Sequence, residues 1–198
     1  MDLVPELENI RKQTDANSER FRELCHGLDE SQLKWRPRPN SWCIAEVLLH
    51  LEKTTHVFLP PIDGAIENAR RDGRLSKCPF RLGRMGKFYV WYVEPPPRIR
   101  LPAPKIVRPA FEGAAFDALP RFLRSQELMK QRLTDANGID IVHARITSPL
   151  ARFIKMSLFA VFSVFVAHER RHIWQASNIR RQLPPAAGTT DKSCAALV

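Results

Sequence analysis

Apolar residues recur at helical spacing in four separated stretches of this chain. From Pro5 to about Leu28, the residues Leu7, Ile10, Thr14, Phe21 and Leu24 lie roughly a turn or two apart among charged neighbours, which predicts an amphipathic helix with one buried stripe. Asp29 to Trp42 carries Pro37, Pro39 and Asn40-Ser41, which break this helix and supply capping side chains for the next. Ile44, Val47, Leu48, Leu51, Thr55 and Phe58 mark a second helix that continues to about Arg71. A kink or interruption is expected at Pro60-Pro61, because each proline lacks a donor and clashes with the preceding turn. Residues 73–112 hold Gly83, Gly86, Pro95-Pro96-Pro97, Pro102, Pro104 and Pro109, a density that predicts extended or polyproline-like backbone in place of a long helix. A third helix, from about Ala114 to Ala136, shows Phe116, Leu119, Phe122, Leu123, Gln126, Met129 and Leu133 on one broad face and ends at Asn137-Gly138. After a loop ending at Pro149, the last helix, about Ser157 to Gln182, opens with an almost continuous apolar run and is expected to sit centrally. The tail, 184–198, predicts disorder.

Four long helices with connections of mixed length predict an all-α four-helix bundle with a long proline-rich insert between its second and third helices. One domain over 1–183 is expected, with no internal repeat and no sheet. At 198 residues such a domain buries a core without a structural metal, so a metal here would serve function and not folding. No secretory signal is visible at the amino terminus, and the longest apolar run, Leu158 to Ala167, is broken by Ser163 and far short of the ~20 residues that span a bilayer. A cytoplasmic protein is expected. Cys25, Cys43, Cys78 and Cys194 show no CxxC spacing, which predicts free thiols.

The net charge of +10 is concentrated in one segment. Arg70, Arg71, Arg74, Lys77, Arg81, Arg84, Lys87, Arg98, Arg100, Lys105 and Arg108 face only Asp72 and Glu94, an excess of 11 − 2 = 9. Any argument for an anionic partner runs through this stretch.

The candidate chemistry lies elsewhere. His168 and His172 are four residues apart on a predicted helix, so both imidazoles project from one face with Cβ atoms about 6 Å apart, close enough to share a divalent ion. His50 offers a third ligand from an apolar face of a different helix, where a lone polar ring would lack a purpose. Three uncompensated buried imidazoles would cost several times the roughly 1–3 kcal/mol of each unsatisfied polar group. A three-histidine metal site follows as the expectation. Glu169 lies about 100° around the helix from His168, so the string His168-Glu169-Arg170-Arg171-His172 matches the letters of a zincin motif without placing its base. Glu46, one turn before His50, either accepts the second N–H of that ring or caps the start of its own helix. Gln175 and Arg171 flank His172, where they either meet a bound anion or water or lie as solvated surface.

Two blocks carry a family resemblance. Trp35-Arg36-Pro37-Arg38-Pro39-Asn40-Ser41-Trp42-Cys43-Ile44-Ala45-Glu46-Val47-Leu48-Leu49-His50-Leu51, followed some 120 residues later by His168-Glu169-Arg170-Arg171-His172-Ile173-Trp174-Gln175, resembles the DinB-like superfamily in order and spacing. The resemblance implies a four-helix bundle of the DinB-like type and a divalent ion, nickel or zinc, held by His50, His168 and His172 with positions open to water or substrate. It also implies either a thiol-dependent S-transferase, using a low-molecular-weight thiol, or a metal-assisted hydrolase, acting on a small-molecule substrate. It assigns no catalytic or cofactor-binding residue beyond the ligands. Cys43 departs from the family pattern, which has Ser or Thr there; this weakens a capping box with Glu46 and leaves Ser41 or Asn40 as the expected cap.

An alternative class is a non-catalytic binding module, in which the basic and aromatic stretch from Phe80 to Tyr92 meets nucleic acid or an anionic membrane surface. The competing expectation is that Phe88, Tyr89, Trp91 and Tyr92 pack the insert onto the helices while its charges stay solvated. A homodimer is the expected assembly, and a purely structural dimer would set Phe159, Phe162 and Phe165 partly at an interface.

Overall fold

A computed structural model describes residues 2–76, 79–99, 102–109, 111 and 113–184; Cys78, Cys194 and the expected tail beyond Pro184 lie outside them. Among the described residues, the regular structure is helical apart from one small hairpin and an isolated bridge between Leu75 and Ile139. Helix α1 (Pro5–Cys25) starts with proline at its first position and Glu6 and Glu8 in its first turn, where a missing donor costs nothing and negative charge meets the positive end of the helix. Helix α2 (Glu30–Lys34) is a short turn capped reciprocally by Asp29 and Gln32. Helix α3 (Ile44–Arg71) follows, then α4 (Arg84–Val93), α5 (Ala118–Asp135), the antiparallel strands β1 (Arg145–Thr147) and β2 (Lys155–Ser157), and α6 (Leu158–Arg180).

Three expectations need correction. Helix α3 runs unbroken through Pro60 and Pro61. Phe58, Leu59, Ile62, Ala65 and Ile66 are buried on its inner side, whereas Pro60 and His56, whose carbonyl loses its partner there, are exposed, so that lost hydrogen bond falls where water can replace it. The segment 73–112 contains a ten-residue helix, α4, because the stretch before Pro95 is free of proline. Against the expectation of no sheet, Arg145, Ile146 and Thr147 pair with Ser157, Met156 and Lys155; the inward Ile146 and Met156 between polar neighbours show the alternation of a half-buried strand.

Helices α1, α3, α5 and α6 pack on one another, α3 and α1 each touching both α5 and α6. Their contacts form two apolar clusters. One gathers Leu7, Ile10, Phe58, Ile62, Met129, Leu133, Leu158 and Phe162. The other gathers Phe21, Leu24, Ile44, Leu48, Leu51, Phe122, Ala176 and Ile179. Each of these helices contributes to both clusters, and where its two contributions meet each carries buried polar residues: Thr14 and Asn17 on α1, His50, Thr54 and Thr55 on α3, Ser125 and Gln126 on α5, Glu169 and His172 on α6. A polar waist therefore divides the core. Phe159, Phe162 and Phe165 are buried within this single chain, which removes them from any dimer interface.

Helix α4 lies along α6. Gly86 permits the close approach, since a Cβ there would meet Ala160 at 3.1 Å and Leu82 at 3.0 Å. Tyr89 packs on the core as expected, but Phe88 and Trp91 remain about half exposed.

Candidate metal centre

His50, His168 and His172 meet at the waist, His50 and His172 buried and His168 partly covered, and one ring nitrogen from each lies within 4.8 Å of the others. Among the described residues, this is the one such cluster of histidine, cysteine or carboxylate side chains. Nε2 of His168 and Nε2 of His172 stand 3.1 Å apart. Two imidazoles sharing an ion at about 2.0–2.1 Å would have nitrogens about 2.9 Å apart at a right angle and about 3.3 Å apart at the tetrahedral angle, so this pair already has a ligand's spacing. With no separation above 4.8 Å, a closure of at most about 1.5 Å brings the others to match, within reach of side-chain torsions.

The far side of two of these rings is fixed. Nδ1 of His50 donates to the carbonyl of Val107 at 2.7 Å, which leaves its Nε2 as the lone-pair nitrogen. Nδ1 of His172 lies 2.9 Å from Oε1 of Gln175 and donates to it in the same way. Burial holds the His50 imidazole below its usual range, with the Val107 carbonyl opposing. Burial, then the neighbouring His50 and the Arg171 charge, push His168 down to about 3, and burial with His168 and His50 holds His172 far below 6.5. All three rings are neutral at pH 7, the form that ligates metal. Trp42 covers two of them, its ring 4.8 Å from that of His50 and 6.1 Å, nearly parallel, from that of His172.

Glu46 caps its own helix and does not touch His50. Its Oε2 accepts the Cys43 N–H at 3.0 Å and its Oε1 accepts Nη2 of Arg36 at 2.6 Å. The N-cap of α3 is Cys43, not Asn40 or Ser41; Ser41 closes the preceding turn by donating to the Arg38 carbonyl at 2.7 Å. Glu169 turns away from the rings and accepts Nδ2 of Asn17 at 2.8 Å, and burial raises its carboxyl to about 7 against that hydrogen bond. The amide of Gln126 adds a weaker attraction without completing a hydrogen bond, and both of its polar atoms are buried. Arg170 and Arg171, between the paired histidines, hold the segment between α4 and α5: Nε of Arg170 donates to Glu94 at 3.0 Å, and Nη2 of Arg171 donates to the Ile99 carbonyl at 3.0 Å. Arg171 thus does not lie free beside His172.

The match to a family model of the DinB superfamily covers residues 13–176. This chain belongs to the DinB superfamily. No curated protein and no solved structure matches it significantly. In this DinB protein, the matched span takes in the Trp42 to His50 block and both histidines of α6, so the residues that converge in space are those within the family region. Sequence reasoning missed Val107 and Trp42. Val107 acts through a backbone carbonyl, which no side-chain pattern reports; Trp42 stands within the first family block, but nothing in its spacing says that it lies over two imidazoles.

Proposed function

We propose that this DinB protein is a metal-dependent enzyme whose divalent ion, zinc or nickel, is held by His50, His168 and His172. The convergence of three neutral imidazole nitrogens within 4.8 Å carries the reading. The donor set suits borderline cations such as zinc and nickel over magnesium or calcium, which take oxygen. When bound, such an ion acts as a Lewis acid and lowers the pKa of a water or thiol that it holds. The protein's own contribution is orientation. Val107 and Gln175 fix two rings, Trp42 shields them, and three histidines leave coordination positions for a small-molecule substrate.

The reaction we propose is thiol-dependent S-transfer or metal-assisted hydrolysis, within a four-helix bundle of the DinB-like type formed by α1, α3, α5 and α6. Elemental analysis of the purified chain tests the ion, with His50→Ala and His168→Ala as comparisons. One equivalent of zinc or nickel in the natural chain, lost in both variants, supports the site; full retention in both ends it. Turnover of thiol and hydrolysable substrates by the loaded protein then separates the two reactions.

A further inference from the structure

Helix α4 has two faces of opposite character. Gly86 is buried against Ala160 and Tyr89 packs on the core. On the outer face Met85, Phe88 and Trp91 are 60%, 49% and 52% exposed, and their spacing of three residues sets them on one ridge. Tyr92, one turn beyond Phe88, stacks with it at 6.2 Å. Arg84 and Lys87 form the adjoining row, one turn before Phe88 and Trp91, and neither is ion-paired among the described residues. The acid at the end of the helix, Glu94, is taken up by Arg170.

Beside the start of α4, a cavity of about 310 Å³ opens toward the hairpin. Arg84, Arg145 and Lys155 line it, with no carboxylate among its lining residues. Arg145 and Lys155 come from opposite strands and share a face, because their partners in the register, Ser157 and Thr147, alternate with the inward Met156 and Ile146. Cations and aromatic rings thus occupy one continuous stretch of surface.

We propose that α4 docks this protein on an anionic phospholipid surface. Met85, Phe88, Trp91 and Tyr92 enter the interfacial layer, and the cations of α4 and the hairpin meet headgroup phosphates. A nucleic-acid strand suits the surface less well. Base stacking requires free ring faces, whereas the Arg98 guanidinium lies 4.4 Å over the Trp91 ring, and Phe88 packs against Tyr89, Trp91 and Tyr92. Interfacial insertion requires only apolar bulk with polar handles, which tryptophan and tyrosine provide. Ten residues of helix are about 15 Å long, and no helix among the described residues is long and apolar enough to cross a membrane, so the contact is with the surface.

Co-sedimentation of the full chain with vesicles tests the proposal, using phosphatidylcholine alone and an equal mixture of phosphatidylcholine and phosphatidylglycerol. Binding to the mixed vesicles alone is expected, weakened by salt and at least about ten-fold weaker in Arg84→Glu/Lys87→Glu. Phe88→Ser/Trp91→Ser should lose binding to a similar degree. The wild-type comparison between the two vesicles needs no variant, so a variant that fails to fold leaves the proposal decidable. No binding to mixed vesicles at low salt overturns it, as does undiminished binding by both folded variants. Complete displacement by inorganic phosphate would reduce the site to a soluble-anion pocket. Binding to an oligothymidine strand without vesicle binding would assign the ridge to nucleic acid, and a dimer abolished by Phe88→Ser/Trp91→Ser without vesicle binding would assign it to a second copy.

Discussion

The carbonyl oxygen of Val107 lies 2.7 Å from Nδ1 of His50, so the basic, proline-rich segment fixes the tautomer of a histidine on α3. That segment is held in turn by Arg170 and Arg171, which stand between His168 and His172. This segment and the candidate centre are therefore tied together at both ends. Val107 is fully buried, and Val107→Ala would loosen the turn that presents its carbonyl. Metal affinity should fall about ten-fold, as for other groups that orient a ligand. Competition with a chelator would measure this, with His56→Ala, on the exposed side of α3, expected to match the natural chain.

Metal removal should be legible in stability. A ligand that binds only the folded chain adds about 2.7 kcal/mol when free ligand exceeds Kd a hundred-fold. Chelation should therefore lower the Tm of the metal-loaded protein and leave that of His168→Ala unchanged. Equal shifts in the two proteins would argue against binding at these rings.

Glu169 gives a pH dependence of definite sign. Its carboxyl lies at about 7 in the folded chain against an ordinary value of 4.5, so the folded state holds the proton more tightly. The stabilisation is complete below 4.5 and is lost as pH rises through 7, about 3 kcal/mol in all. His168 and His172, held low, act in the opposite sense and lose stability as pH falls below 6.5. Comparing the natural chain with Glu169→Gln cancels the histidines, because both proteins carry them. The variant keeps an acceptor for Asn17 and should gain on the natural chain from pH 5 to about pH 7 in urea unfolding, with the difference levelling off by pH 8.

Glu46 holds the start of the helix that carries His50. Glu46→Ala removes the acceptor for the Cys43 N–H and for Arg36 and should cost about 1–2 kcal/mol, a fall in Tm of roughly 4 °C. Arg36→Met should cost less, since the arginine is exposed enough for solvent to screen its charge. A thermal scan that ranked Arg36→Met as the worse variant would contradict this.

Much of the fold was legible along the chain. Leu7, Ile10, Phe21 and Leu24 mark α1, and the apolar opening of α6 correctly predicted a central position, because a stripe recurring every three or four residues has only one way to be buried. His168 and His172 declared their shared face by spacing alone. Helix α4 and the hairpin were not legible: their runs are short, and the surrounding prolines and polar residues outweigh them in any local reading. The unbroken course of α3 through Pro60-Pro61 depended on which side of the helix faced water.

The sequence by itself determined the four long helices, the family blocks and the three histidines, since periodicity and side-chain type are local properties of a chain. Only the tertiary structure decided that Val107 and Trp42 belong with those histidines, that Glu46 serves its own helix, that Glu169 turns toward Asn17, and that Phe88 and Trp91 face outward. A backbone carbonyl has no residue signature, and the direction in which a side chain finds its partner is set by helices that meet only when the core closes.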